Sequence, residues 1–291
     1  MKSSKTFAQQ FNETMNATMS AKDKIAALIK IGLPERMATQ YVGAYAKNTG
    51  NGAIYTFGVE LEMQCSYHRV LSRNNGITFE AQGYNHIDSR EVFKFVRDAS
   101  LVGADSIECV SPILNGTTDG FDTLKKACEA VNAQGAAVNK SCGFHVHVGA
   151  ADLTDEQYVN VFVNYQMLEG LIDSFMAPSR RGNTSRWCHS LQSRHLSACE
   201  TKRDVLRELD YDRYFKVNPC AYERHQTIEF RQHQGTTDYE KISNWVKFCI
   251  ALVDFSKSHR LTSKVMNIDD IKFIDDDVKA FFKARKAHFA A

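Results

Sequence analysis

The chain has 291 residues, 43% hydrophobic and 24% charged, enough for one large core or one core with a helical annex. A formal net charge of +2 with no long basic stripe argues against a nucleic-acid binder. No run is long enough to span a bilayer, and the polar N-terminus lacks the apolar core of a signal peptide.

Residues 1 to about 47 read as helix-rich. Ala21 to Ile31 has apolar groups at helical spacing and is broken by Gly32-Leu33-Pro34, and a second helix is expected over Glu35 to Ala46. The cluster Asn48-Thr49-Gly50-Asn51-Gly52 marks the best internal boundary. Ile54 to Gln64 then alternates as a strand, and Ser72 to Gly76 reads as a polar loop. Further strands are expected near Ile77–Gln82, Glu91–Arg97 and Ser106–Val110. Phe121 to Ala133 has the pattern of an amphipathic helix, and Phe144–Val148 that of another strand. A long helix over Thr154 to Met176 opens with a capping box, Thr154 and Gln157. A basic loop, Ser179 to Cys188, follows Pro178. A short helix over Val205–Tyr211, a strand over Gln226–Gln232 and helices over Tyr239–Lys257 and Asp275–His288 complete the chain. Widely spaced strands among helices predict an α+β fold: an antiparallel sheet with helices on one face. The expected division is a helical extension (1–50), a catalytic domain (51–258) and a C-terminal helical segment packed on it (259–291).

Eight cysteines include no Cys-x-x-Cys pair, which disfavours a zinc ribbon or a thioredoxin-like motif. Cys109, Cys128 and Cys249 lie in apolar segments and read as small hydrophobes. Reduced thiols and a cytoplasmic location are expected.

Three strands carry paired chemical groups. In Phe144-His145-Val146-His147-Val148, alternation puts both imidazoles on one face and the apolar residues on the other. Glu60-Leu61-Glu62 places two carboxylates roughly 7 Å apart on one face, where a divalent cation or an arginine must compensate them if they are buried. Glu-x-Glu is also common on solvated strand faces. Glu229-Phe230-Arg231 is a third pair, read either as cross-strand ion pairing or as a metal ligand beside an anion-binding guanidinium. Glu108 is a lone carboxylate in an apolar strand ending at Pro112. It is either a further oxygen ligand for Mg²⁺ or an edge residue. Zinc at His145 and His147 with Cys142 matches no known ligand spacing. Arg180, Arg181 and Arg186 either close over a polyphosphate or form an ordinary basic loop. Carboxylates, imidazoles and arginines together suit a nucleoside triphosphate held through divalent metals, and no P-loop motif is present.

Asn139-x-Ser141-x-Gly143-x-His145-x-His147, Glu60-x-Glu62 and Glu229-x-Arg231 resemble strands of glutamine synthetases, although the Cys142 position has no counterpart there. Together with Glu108-Cys109-Val110-Ser111-Pro112, the arrangement resembles more closely still the amidoligase family, many members of which are phage or bacterial proteins. The resemblance spans roughly residues 54 to 250. It implies a glutamine-synthetase-like fold with a curved antiparallel sheet, and ATP-dependent joining of a carboxylate to an amine. It further implies Glu60, Glu62, Glu108, His145 and Glu229 as ligands of Mg²⁺ or Mn²⁺, with His147 near the nucleotide phosphates. Arg231 and one or more of Arg180, Arg181 and Arg186 would contact the transferred phosphoryl group or the substrate carboxylate. Glu108 and Asp98 are candidates for the base that deprotonates the amine. Asp98 and Ser100 either bind substrate or form a turn. Partners would be small-molecule, peptide or protein carboxylates and amines, in the host cytoplasm if the chain is phage-encoded, and an oligomer would fit. Two other readings are a metal-dependent phosphotransferase or hydrolase on the same floor, and a non-catalytic binding protein that retains the fold.

Overall fold

A computed structural model describes residues 5–46, 55–82 and 92–290. The 48–52 boundary lies outside the described residues, as do Ile54 and Glu91 from the expected strands. Three short helices come first: α1 (Phe7–Asn16), α2 (Ala21–Lys30) and α3 (Glu35–Ala46). Their apolar faces meet in a small cluster of their own, built on Phe11, Leu28, Leu33, Met37 and Tyr41.

The remaining elements build one mixed sheet. β1 (Thr56–Gln64) runs through its middle, flanked by β5 (Ser106–Val110) and β7 (Phe144–Gly149). β2 (Ser72–Asn74), β3 (Ile77–Ala81) and β4 (Phe93–Val96) extend it beyond β5. β6 (Leu114–Asn115) pairs with the start of β1, and β9 (Thr227–Phe230) and β8 (Val217–Asn218) lie beyond β7. The pairing is antiparallel except between β3 and β4.

Alternation decides the faces. Phe57, Val59 and Leu61 of β1, Phe144, Val146 and Val148 of β7, and Ile228 and Phe230 of β9 point into the core. There they meet α4 (Thr118–Asn132), α5 (Asp155–Phe175), α8 (Tyr239–Ser256) and α9 (Asp276–Ala290). Ring pairs bridge sheet and helices, Phe57 with Phe121 at 5.2 Å and Tyr165 with Phe230 at 5.8 Å, and Phe175 of α5 meets Phe282 of α9 at 4.4 Å. The expected α+β arrangement, a mostly antiparallel sheet with helices behind it, is present.

Several boundaries differ from expectation. The polar stretch 72–76 is no open loop: β2 turns into β3 through Asn75-Gly76, both at positive φ (51° and 79°), which matches the right-handed twist of a tight hairpin. The short helix expected over Val205–Tyr211 is α6 (Lys202–Glu208). Thr201 caps it with Asp204 in a reciprocal box, and Asp210 and Tyr211 fall in the left-handed region that ends it. A further helix, α7 (Ala221–His225), stops at Gln226 (φ 55°), so β9 begins one residue later than predicted. None of the helices among the described residues is long and apolar enough to cross a membrane.

Candidate functional site

The register places the charged residues opposite one another on the face of the sheet away from the core. Glu62 lies across from Glu108, Glu60 from His145, and Glu229 from both His147 and Asn218. Cross-strand neighbours in register share a face, so six acidic and imidazole residues from four strands converge.

Glu60 is the hub. Its Oε2 lies 2.8 Å from His145 Nδ1, and its Oε1 lies 3.2 Å from His147 Nε2. His147 Nδ1 is 2.9 Å from the Thr227 hydroxyl, which fixes the ring from its other side. Glu229 accepts from Arg231 Nη1 at one oxygen and from Asn218 Nδ2, at 2.5 Å, at the other. Glu62 accepts from the backbone amide of Gly143 and lies 3.7 Å from His145 Nε2. Gly143 leaves the room these groups use: a Cβ would stand 3.0 Å from His145 Nε2 and 3.3 Å from Glu62 Oε2, so both would have to shift.

These charges set one another. Burial works against the ionised form of Glu60, yet hydrogen bonds from His145 and His147 hold its carboxyl well below the usual range. Glu108 goes the other way: burial, and then the neighbouring Glu60 charge, push it well above that range. Glu229 is opposed by burial but held down to about 2 by Arg231 and His147. For His147, burial favours the neutral ring, but Glu229 and Glu60 raise its basicity. Such opposed shifts within one cluster mark a site that holds excess negative charge.

The donor set fits hard divalent cations. Ligand atoms of Glu60, Glu108 and His145 lie within 4.8 Å of one another, and so do those of Glu60, His147 and Glu229. Carboxylate-rich triads with a single imidazole suit Mg²⁺ or Mn²⁺ rather than zinc, which favours tetrahedral nitrogen and sulfur sets. Glu60 is common to both groups. Glu62 is in neither triad; one of its oxygens accepts the Gly143 amide and the other lies 3.7 Å from His145 Nε2.

The basic loop divides. Pro178–Arg180 forms a single 3-10 turn that sends successive arginines in different directions. Arg180 is buried. Its Nη2 donates to the Cys142 carbonyl at 2.6 Å, and its Nη1 stands 3.4 Å from where a Gly143 Cβ would be. Arg181 turns away: its Nε donates to the Met176 carbonyl at 2.9 Å and its guanidinium lies 5.3 Å from the Phe289 ring. Arg186 is exposed and stacks on Trp187 at 4.5 Å. Trp187 borders the site, since its carbonyl lies 3.5 Å from Arg231 Nε. Arg180 and Arg231 therefore reach the cluster, Arg186 stands at its rim, and Arg181 is directed elsewhere.

Asn139 and Ser141 do not reach the carboxylates. Asn139 Nδ2 donates to the Val102 carbonyl at 2.7 Å, and the Ser141 hydroxyl accepts the Val102 amide at 3.0 Å, so together they clamp the loop after β4. Asp98 and Ser100 form a turn in that loop, with the Ser100 amide donating to Asp98 Oδ1 at 2.7 Å. Sequence reasoning missed Asn218, whose two-residue strand is too short to show periodicity. It also missed His225, whose ring stands edge-on to His147 at 5.8 Å. Thr227 was within reach of the alternation rule, being two residues before Glu229.

The sheet face thus gathers carboxylates and imidazoles, with two guanidinium groups reaching it. The family model described as "Putative amidoligase enzyme" matches residues 53–253, and the chain belongs to that family, a family of ligase-type enzymes. Comparison with curated proteins gives no match.

Proposed function

We propose that this protein is an ATP- and divalent-cation-dependent carboxylate–amine ligase on a glutamine-synthetase-like sheet, acting through an acyl phosphate. The observation that carries the reading is the convergence of Glu60, Glu108, Glu229, His145 and His147 with Arg180 and Arg231 on one sheet face. In this reading residues 51–258 form the catalytic domain, 1–50 a helical extension and 259–291 a segment packed on it. The setting is the cytoplasm.

A substrate carboxylate must attack the γ-phosphorus of ATP, and both are negative. Bound Mg²⁺ or Mn²⁺ would offset that repulsion and draw charge from the transferring phosphoryl group. Glu60, Glu108 and His145 would hold one ion, and Glu60, His147 and Glu229 another. Arg231, fixed by Glu229, keeps free donors for a phosphoryl or carboxylate oxygen, and Arg180 offers a second buried guanidinium. Glu62 keeps His145 and Gly143 in place. The acyl–phosphate bond forms as ADP leaves. The amine then attacks the carbonyl carbon, phosphate departs, and the amine loses a proton.

The test is ADP release by the purified chain with Mg²⁺, a panel of carboxylic acids and a panel of amines. Release that needs both acid and amine supports the ligase. ATP cleavage indifferent to amine would make it a metal-dependent phosphotransferase or hydrolase. No Mg²⁺-dependent binding or turnover of ATP would remove the reading altogether.

A further inference from the structure

Arg180 comes from residues 176–195, a segment whose regular structure is one 3-10 turn and one isolated bridge, His189 to Phe215. A guanidinium on such a segment is aimed only if the backbone beneath it is held. One face of α5 supplies the hold. Asp173 Oδ2 accepts the Gly182 amide at 2.8 Å, and its Oδ1 accepts from the Gln232 carboxamide. The same carboxamide nitrogen donates to the Arg180 carbonyl at 3.0 Å. One turn earlier on α5, Glu169 Oε2 accepts the Leu191 amide at 2.9 Å. Residues 169 and 173 share a helix face, so both ends of the segment are tied to one rigid element.

Lys216 lies between these two carboxylates, 2.7 Å from Glu169 and 2.6 Å from Asp173. Lys216 and Glu169 are essentially inaccessible, at 0% and 1% side-chain exposure, and Asp173 is at 21%. Buried ion groups of this kind add little net stability over an apolar replacement. Their yield here is geometric: the ammonium fixes the two carboxylates that fix the segment.

We propose that Asp173, held by Lys216, is a positioning residue that sets Arg180 against Glu62 and His145. The inference rests on the ligase reading insofar as Arg180 acts on a phosphate or carboxylate. The path runs from Lys216 to Asp173, through the Gln232 carboxamide to the Arg180 main chain, and from its side chain to the Cys142 carbonyl just before β7.

Asp173→Ala tests it, because this variant leaves Lys216 and Glu169 as a balanced pair. The chain has two tryptophans and Trp245 is fully buried, so acrylamide quenching reads Trp187, which lies in the anchored segment. Faster Gly182 amide exchange, stronger quenching and Mg·ATP binding weakened about tenfold are expected. Binding in Asp173→Ala/Arg180→Ala should be no weaker than in Arg180→Ala alone, since both changes act through one guanidinium. Additive losses, or a folded Asp173→Ala with wild-type exchange and binding, overturn the proposal. Wild-type protein that binds no Mg·ATP removes the ligase reading instead, and exchange and quenching still decide the anchoring. If Asp173→Ala does not fold, Asp173→Asn, with one acceptor kept, should show the same pattern at smaller amplitude; wild-type behaviour from it overturns the proposal.

Discussion

Glu60 illustrates what a single side chain carries in this site. It bonds both imidazoles and is common to both possible cation groups. Glu60→Gln should therefore weaken Mn²⁺ binding by more than about tenfold at every site, read by electron paramagnetic resonance titration; unchanged affinity would refute the shared arrangement. Gly143→Ala tests crowding. Its Cβ would press on His145 Nε2, Glu62 and Arg180, all within 3.4 Å. Mn²⁺ affinity should drop about tenfold while the melting temperature moves little, and a variant with native affinity would count against the close packing described. At this scale the sequence was informative wherever a strand was long enough for alternation to assign faces. Glu60, His145, His147, Glu229 and Arg231 were legible for that reason. Arg180 and Arg181 were not separable, because a 3-10 turn has no simple face rule. Nor could alternation reveal that one Glu62 oxygen accepts the Gly143 amide.

Elements were legible when their ends were chemically marked. The Thr154–Gln157 capping box is present with both of its hydrogen bonds. Thr154→Ala should cost about 1 kcal/mol in urea unfolding, and a loss near zero would mean that core packing of α5 alone sets its start. The helix after it shows the opposite lesson. Thr201 and Asp204 form an equally complete box, but the apolar pattern drew the expected start to Val205. Short strands fared worst. β2, β6 and β8 have only two or three residues each, too few for periodicity, and are defined by partners distant in the chain. Asn218 therefore stayed hidden although it touches Glu229.

The acid response is a property of the whole molecule. His233 sits in the core with its ring centroid 5.4 Å from that of Phe144 and 5.8 Å from that of Trp245. Burial, then the Arg285 charge, lowers its basicity to about 3. The unfolded chain takes up that proton near pH 6.5, so the contribution is full above that pH and is lost as pH falls toward 3. The slope approaches about 1.4 kcal/mol per pH unit for this group. His233→Phe should accordingly lose less stability than wild type between pH 6.5 and 4 in urea melts; parallel curves would refute the assignment. Crowded carboxylates act at the same scale. Millimolar Mg²⁺ or Mn²⁺ should raise the melting temperature of the wild type but not of Glu60→Gln, because only the folded sheet gathers the ligands. The mixed fold was readable from the order of helical and strand patterns. The separate cluster under α1–α3 was not, since amphipathic helices do not disclose which surface they will cover.

The clamp on Val102 has a consequence of its own. Asn139 and Ser141 bind the carbonyl and the amide of Val102, while the residue stays 70% exposed to water. Main-chain geometry at this point is thus independent of which side chain is displayed. Substitution at position 102 should therefore change the surface chemistry of this loop while its main-chain frame stays as it is.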